Sequence, residues 1–161
     1  MCGMLGFGGL GPGGPTVAMP QTPKCKAIII CDDVIEDKHS GKKSIIGAFN
    51  TLWANKFPAS HPQAVLFLSL TDGQGEVDVS IRIVKDLQPN MSGQDIFKAD
   101  GKVKFENPLD TAEMILRLHN LPLPSPGNYS FIVEVNGEMI GDRRVKVCKA
   151  EGLPRRESGR T

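Results

Sequence analysis

Two adjacent carboxylates, Asp32-Asp33, are the side chains best suited by type to acid–base or metal chemistry. Their spacing works against it. Neighbouring residues on a strand point to opposite faces, so the pair cannot share one proton or one cation unless the strand ends between them. One of them falls on the buried parity, where an unpaired carboxylate is heavily penalised and must accept hydrogen bonds or meet a cation. The amides of the Glu36–Lys42 turn are the expected donors. His39, His61 and His119 stand one to a loop or strand, without metal-ligand spacing. Cys2, Cys25, Cys31 and Cys148 include no Cys-x-x-Cys pair. Cys25 and Cys31, on one strand, are about 20 Å apart at strand rise and cannot bridge each other. A Cys31–Cys148 bridge requires the first and last strands to be neighbours, and free thiols in a reducing cytoplasm are the default. The run Asp72–Glu76 is too short for a calcium loop of the EF-hand kind. The glycine cluster of residues 6–14 lacks the strand and the Lys-Ser/Thr ending of a phosphate loop. The chemistry-bearing residues therefore predict no enzyme, no metal and no cofactor.

The elements around them are strands. Tyr129, Phe131, Val133 and Val135 alternate with Ser130 and Glu134, the period-two pattern of a half-buried strand. Asn136-Gly137 follows, and a type I′ hairpin turn needs positive φ at both of its central positions. The return strand places Met139, Gly141, Val145 and Val147 on one face, interrupted by Arg143. Either a bulge near Gly141–Arg144 shifts the register or Arg143 reaches past the sheet edge. Residues 76–85 alternate in the same way, 97–105 and 112–118 likewise, and 64–71 is apolar on both parities, as in a central strand. With 27–35 and 43–53 the count is about eight strands, separated by turn signals. That pattern predicts an all-β, two-sheet antiparallel β-sandwich of immunoglobulin-like form. The Gly127-x-Tyr129-x-Phe131 spacing resembles a tyrosine corner, in which the phenol hydroxyl bonds a backbone group upstream.

Composition fits one domain in the 161-residue chain. The formal charge of +1 gives no global field favouring nucleic acid or an anionic membrane. Residues 1–23 carry glycine clusters with neither a basic start nor a sustained apolar run, so a flexible tail is expected there rather than a leader or an anchor. Residues 151–161 read as a second, polar tail. The folded domain is expected over 24–150.

Several motifs recur in a fixed order: Cys31-Asp32-Asp33, Gly41-Lys42, Ser44-Ile45-Ile46-Gly47-Ala48-Phe49, Phe57-Pro58, and Leu121 through Gly141. Together they resemble a bacterial domain family of unknown function over roughly residues 26–148. The resemblance implies a sandwich fold and a cytoplasmic setting, and carries no activity, cofactor or site.

If consecutive strands alternate in direction, the connections 54–63, 86–94 and 120–127 gather at one end. They are long and Pro-rich, and carry Phe57, His61, Leu87, Met91, Leu121 and Leu123. Stiff loops with apolar side chains lose little entropy on binding, so this end is a candidate surface for a protein partner. The competing reading is that these side chains fold inward and plug the core. Circular dichroism should show β structure with little helix, and limited proteolysis should trim residues 1–23 and 151–161 without loss of core stability. Helix in more than about a fifth of residues would contradict the all-β assignment.

Overall fold

The computed structural model describes residues 21–86 and 93–151, all of it strands, turns and loops, with no helix among the described residues. Ten strands follow in order: β1 Lys24–Cys31, β2 Asp33–Glu36, β3 Lys43–Ile46, β4 Thr51–Ala54, β5 Ala59–Thr71, β6 Gly75–Lys85, β7 Gln94–Phe105, β8 Thr111–Leu123, β9 Gly127–Val135 and β10 Glu138–Lys149. They form a three-stranded sheet, β1-β5-β8, a five-stranded sheet, β4-β10-β9-β6-β7, and the separate hairpin β2–β3. The expected eight strands become ten because two apolar runs each break once. Asp32 interrupts the first, where its N–H donates to Ile46 and Gly47 carbonyls. Gly47, at φ 65°, interrupts the second. Among these described strands all pairings are antiparallel except one: β4 runs parallel to β10. The chain passes from β3 to β4 without reversing, Phe49 donating to the Ile30 carbonyl on the way.

One apolar cluster joins the two larger sheets. Leu66, Leu68 and Leu70 of β5 meet Val79, Ile81 and Ile83 of β6, Phe131 and Val133 of β9, and Val145 and Val147 of β10. The alternation read from residues 76–85 thus marks the core face, and Glu76, Asp78 and Arg82 lie outside. On that outer face the charges pair with one another: Lys102 with Glu76, at 2.9 Å, and Arg82 with Glu134, also at 2.9 Å. β8 departs from simple alternation. Leu118, Leu121 and Leu123 all enter the core despite their odd spacing, because Asn120 adopts φ 51° and re-aims the strand.

Asn136 and Gly137 have φ of 49° and 83°, the type I′ turn expected from their sequence. The return strand slips register between Met139 and Gly141. Met139, on the turn side of the slip, pairs with Glu134 and is exposed, against the inward position expected for it. From Gly141 to Val147 the register is unbroken, so the slip precedes the stretch expected for it, and Arg143 pairs with Phe131 on the core-facing side. Gln21, inside the stretch assigned to the first tail, forms a backbone bridge with Gln74.

Tyr129 is buried, and its hydroxyl donates to the Ser125 carbonyl at 2.6 Å. This is the corner contact expected from the Gly-x-Tyr-x-Phe spacing. Burial raises its pKa above the ordinary phenol value, with the Ser125 backbone opposing. The folded state therefore holds the proton more tightly than the unfolded chain. The stabilisation is complete below a pH of about 10 and is lost as pH rises beyond it. Tyr129→Phe should lower stability in urea melts by about 0.5–1.5 kcal/mol, the usual net value of one hydrogen bond. It should also remove that alkaline dependence. An unchanged midpoint at neutral pH would argue that the corner contributes nothing.

Candidate functional site

The paired aspartates act in holding the β2–β3 hairpin. Asp33 accepts from the Arg117 guanidinium of β8 and from its neighbour's Val34 amide, while Arg117 Nη2 donates to the Val34 carbonyl at 2.8 Å. The Arg117 hydrogen bond, then the Val34 amide, hold the Asp33 carboxyl below its usual range. That contribution is present above the ordinary carboxylate pKa and disappears as pH falls. The donors expected from the 36–42 turn serve Asp37 instead, which accepts from the His39 amide at 3.0 Å and from the Ser40 hydroxyl at 2.6 Å. The correction is geometric: β2 lies against the outward side chains of β8, and the turn is four strand residues away. A second clasp forms where Lys43 meets Glu113 at 2.5 Å, which raises the lysine pKa. Between the clasps Val34 packs with Cys31, Val65 and Phe67 in a small cluster of its own.

The clasped hairpin leaves aliphatic side chains of both its faces in solvent, Ile45 on the face of Val34 and Ile35 with Ile46 on the other. Ile35 is 52% exposed, Ile46 45% and Ile45 37%. The sequence signal that bears on it is the brevity of β3, four residues between Lys42 and Gly47. A ribbon that short offers only one face to a core.

At the loop end the described candidate side chains turn toward the core. Residues 55–58, 86 and 124–126 do gather at one end, as Ala59 pairs with Leu123 and the Asp86 amide donates to the Asn128 carbonyl. There Leu123 is only 3% exposed and Leu121 is also buried, while Phe57 packs against the main cluster. Leu121 and Leu123 plug the core, so neither is available to a partner. His61 packs its ring edgewise on Phe49, with centroids 5.7 Å apart, and its buried Nε2 has no partner. Leu87 and Met91 lie outside the described residues. Among the described residues no three His, Cys, Asp or Glu side chains converge as a metal site would require. Cys25, Cys31 and Cys148 are free thiols, and burial raises the pKa of Cys25 and Cys31. Among the described residues no helix is long and apolar enough to cross a membrane.

The family model described as a family of unknown function (DUF6941) matches residues 26–148, and the chain belongs to that family. No match was found among curated proteins. Among solved structures, the C-terminal domain of Wzt is 13% identical, with 89% of this chain and 87% of that one covered and a TM-score of 0.45. The Pseudomonas fluorescens alkylpurine DNA glycosylase AlkC, bound to DNA containing an abasic site analog, is 12% identical. The match covers 74% of this chain and 30% of that one, with a TM-score of 0.43. The Trichoderma reesei beta-D-glucoside glucohydrolase is 9% identical over 79% and 19% of the two chains, also at 0.43. The chain thus spans less than a third of the length of these two enzymes, and scores below 0.5 establish no shared fold.

If the Arg117 clasp holds the hairpin over its small cluster, Arg117→Met should speed alkylation of Cys31, followed by peptide mass mapping, while the melting midpoint changes little. A rate at Cys31 equal to that of the parent chain would place the hairpin's attachment elsewhere.

Proposed function

We propose that this family member is a non-enzymatic binding or assembly module, an immunoglobulin-like β-sandwich working in the bacterial cytoplasm. The observation that carries the reading is the hairpin β2–β3, which presents Ile35, Ile45 and Ile46 to solvent from a base anchored by Val34 and Arg117. Exposed aliphatic side chains grouped on one small element mark an interaction surface more often than singly scattered ones do. The sandwich assignment is supported by the core shared between the three- and five-stranded sheets and by the Tyr129 corner. Free thiols at Cys25, Cys31 and Cys148 suit a reducing compartment. The non-enzymatic reading is supported by the use of Asp33 in an ion pair and by the packing of His61 on Phe49.

Two threonines, Ile35→Thr and Ile46→Thr together, keep β-branched shape while removing apolar surface. The double variant should fold with a stability within about 0.5 kcal/mol of the parent, as expected for surface changes. It should lose the protein partners that the parent chain captures from its own cells. Undiminished capture would remove the hairpin from the binding surface. A large stability loss would mean that the two isoleucines belong to the fold instead.

A further inference from the structure

A second feature, independent of the hairpin, lies in the seam between β1 and β10. Arg143 is exposed, and its partner across β9 is Phe131, so its side chain leaves β10 on the core-facing side. It can do so because the stretch Glu138–Arg144 has a neighbouring strand on one side only. β4 pairs no further down β10 than Lys146. On the open side Ile28 and Cys25 of β1 lie against Gly141, where a Cβ would come within 2.9 Å of Ile28. Both strands are irregular here, with register shifts at Cys25/Ala27 in the β1–β5 pairing and at Met139/Gly141 in the β10–β9 pairing.

Arg143 borders two open surface depressions at once. One, of about 330 Å³, has Ile28 and Ile140 in its walls. The other, of about 160 Å³, has Ile29 and Phe49. None of the ion pairs among the described residues uses Arg143. Asp142 borders the larger depression but pairs with Ile132 on the opposite face of the strand, so it does not share a ligand head with Arg143. Lys26, at the β1 bulge, adds a second positive charge to that rim. A guanidinium with no carboxylate of its own, between aliphatic and aromatic walls, suits a planar anion carrying an apolar body.

We propose that the β1–β10 seam binds a small carboxylic acid, its carboxylate on Arg143 and its apolar part against Ile28 and Ile140. An inward charge on an edge strand also deters a second strand from adding, and that role requires no ligand. Indole-3-acetate and 3-methylindole separate the two, because they share an apolar ring and differ in the carboxylate. Each is titrated into the full 15N-labelled chain and followed by amide shifts. Indole-3-acetate should perturb Ile28, Ile140 and Arg143 saturably and bind about tenfold or more tightly than 3-methylindole, the factor expected for one charge-assisted pair. High salt should weaken only the acid. Arg143→Met should abolish the preference, and Arg143→Lys should keep part of it; Arg143→Gln replaces the methionine variant if that does not fold. Equal affinities for the two probes would overturn the proposal, as would shifts confined to other strands, no saturable shift, or a preference that survives in the methionine variant.

Discussion

The structure depends on one constraint: every strand of the two larger sheets must deliver its apolar face to a single shared cluster. Leu66 and Leu68 from one side and Ile81, Phe131 and Val145 from the other fill that volume. Burial of this kind is the main favourable term in folding, and it fixes register because a one-residue slip would turn each face to water. The irregularities follow from it. Asn120 takes a left-handed conformation so that Leu121 and Leu123 can close the end of the core after Leu118. Met139, on the turn side of the slip at Met139/Gly141, is exposed, while Val145 and Val147 beyond it are buried. Tyr129 spans apolar core and polar loop, filling the first with its ring and satisfying the second through Ser125.

Edges are the other demand on a β protein, since unpaired strands invite further pairing. Two open edges here are managed by different means. β7 carries Lys98, Lys102 and Lys104 along its outer face, two of them in ion pairs with neighbouring carboxylates. The upper part of β10 is covered by β4, and the uncovered part turns Arg143 inward. The open side of β10 is thus both guarded and polar at a place where the surrounding walls are apolar.

The hairpin β2–β3 lies outside the main cluster altogether. A two-stranded ribbon is at best marginally stable alone, so its position comes from what it rests on: Val34 in the small cluster, the Arg117 contacts, and the Lys43–Glu113 pair. Gly47 completes the arrangement, because the Asp32 carboxylate occupies the space that a Cβ there would need. Acidic side chains that looked like chemistry in one dimension are thereby used to seat a ribbon, and the aliphatic surface that faces solvent sits on top of it.

The sequence alone determined the all-β composition, most strand positions and the Asn136-Gly137 turn, because these depend on period-two alternation and on local φ preferences that neighbouring residues set. It also determined the Tyr129 corner, whose donor and acceptor are only four residues apart. Tertiary structure decided what depends on distant segments meeting. Whether Leu123 served a partner or the core turned on Asn120 and on the facing sheet; its neighbours in sequence read the same either way. The partner of Asp33 is Arg117, 84 residues away, and local reasoning could offer only nearby amides. The exposure of Ile35 and Ile46 arose because two apolar runs, each read as one strand, split at Asp32 and Gly47 and sent their halves to different sheets. Arg143 was visible as a break in an apolar pattern. That it borders two surface depressions follows from β1 lying across the seam, and strand neighbours of that kind are fixed by the packing of the whole chain and not by any stretch of it.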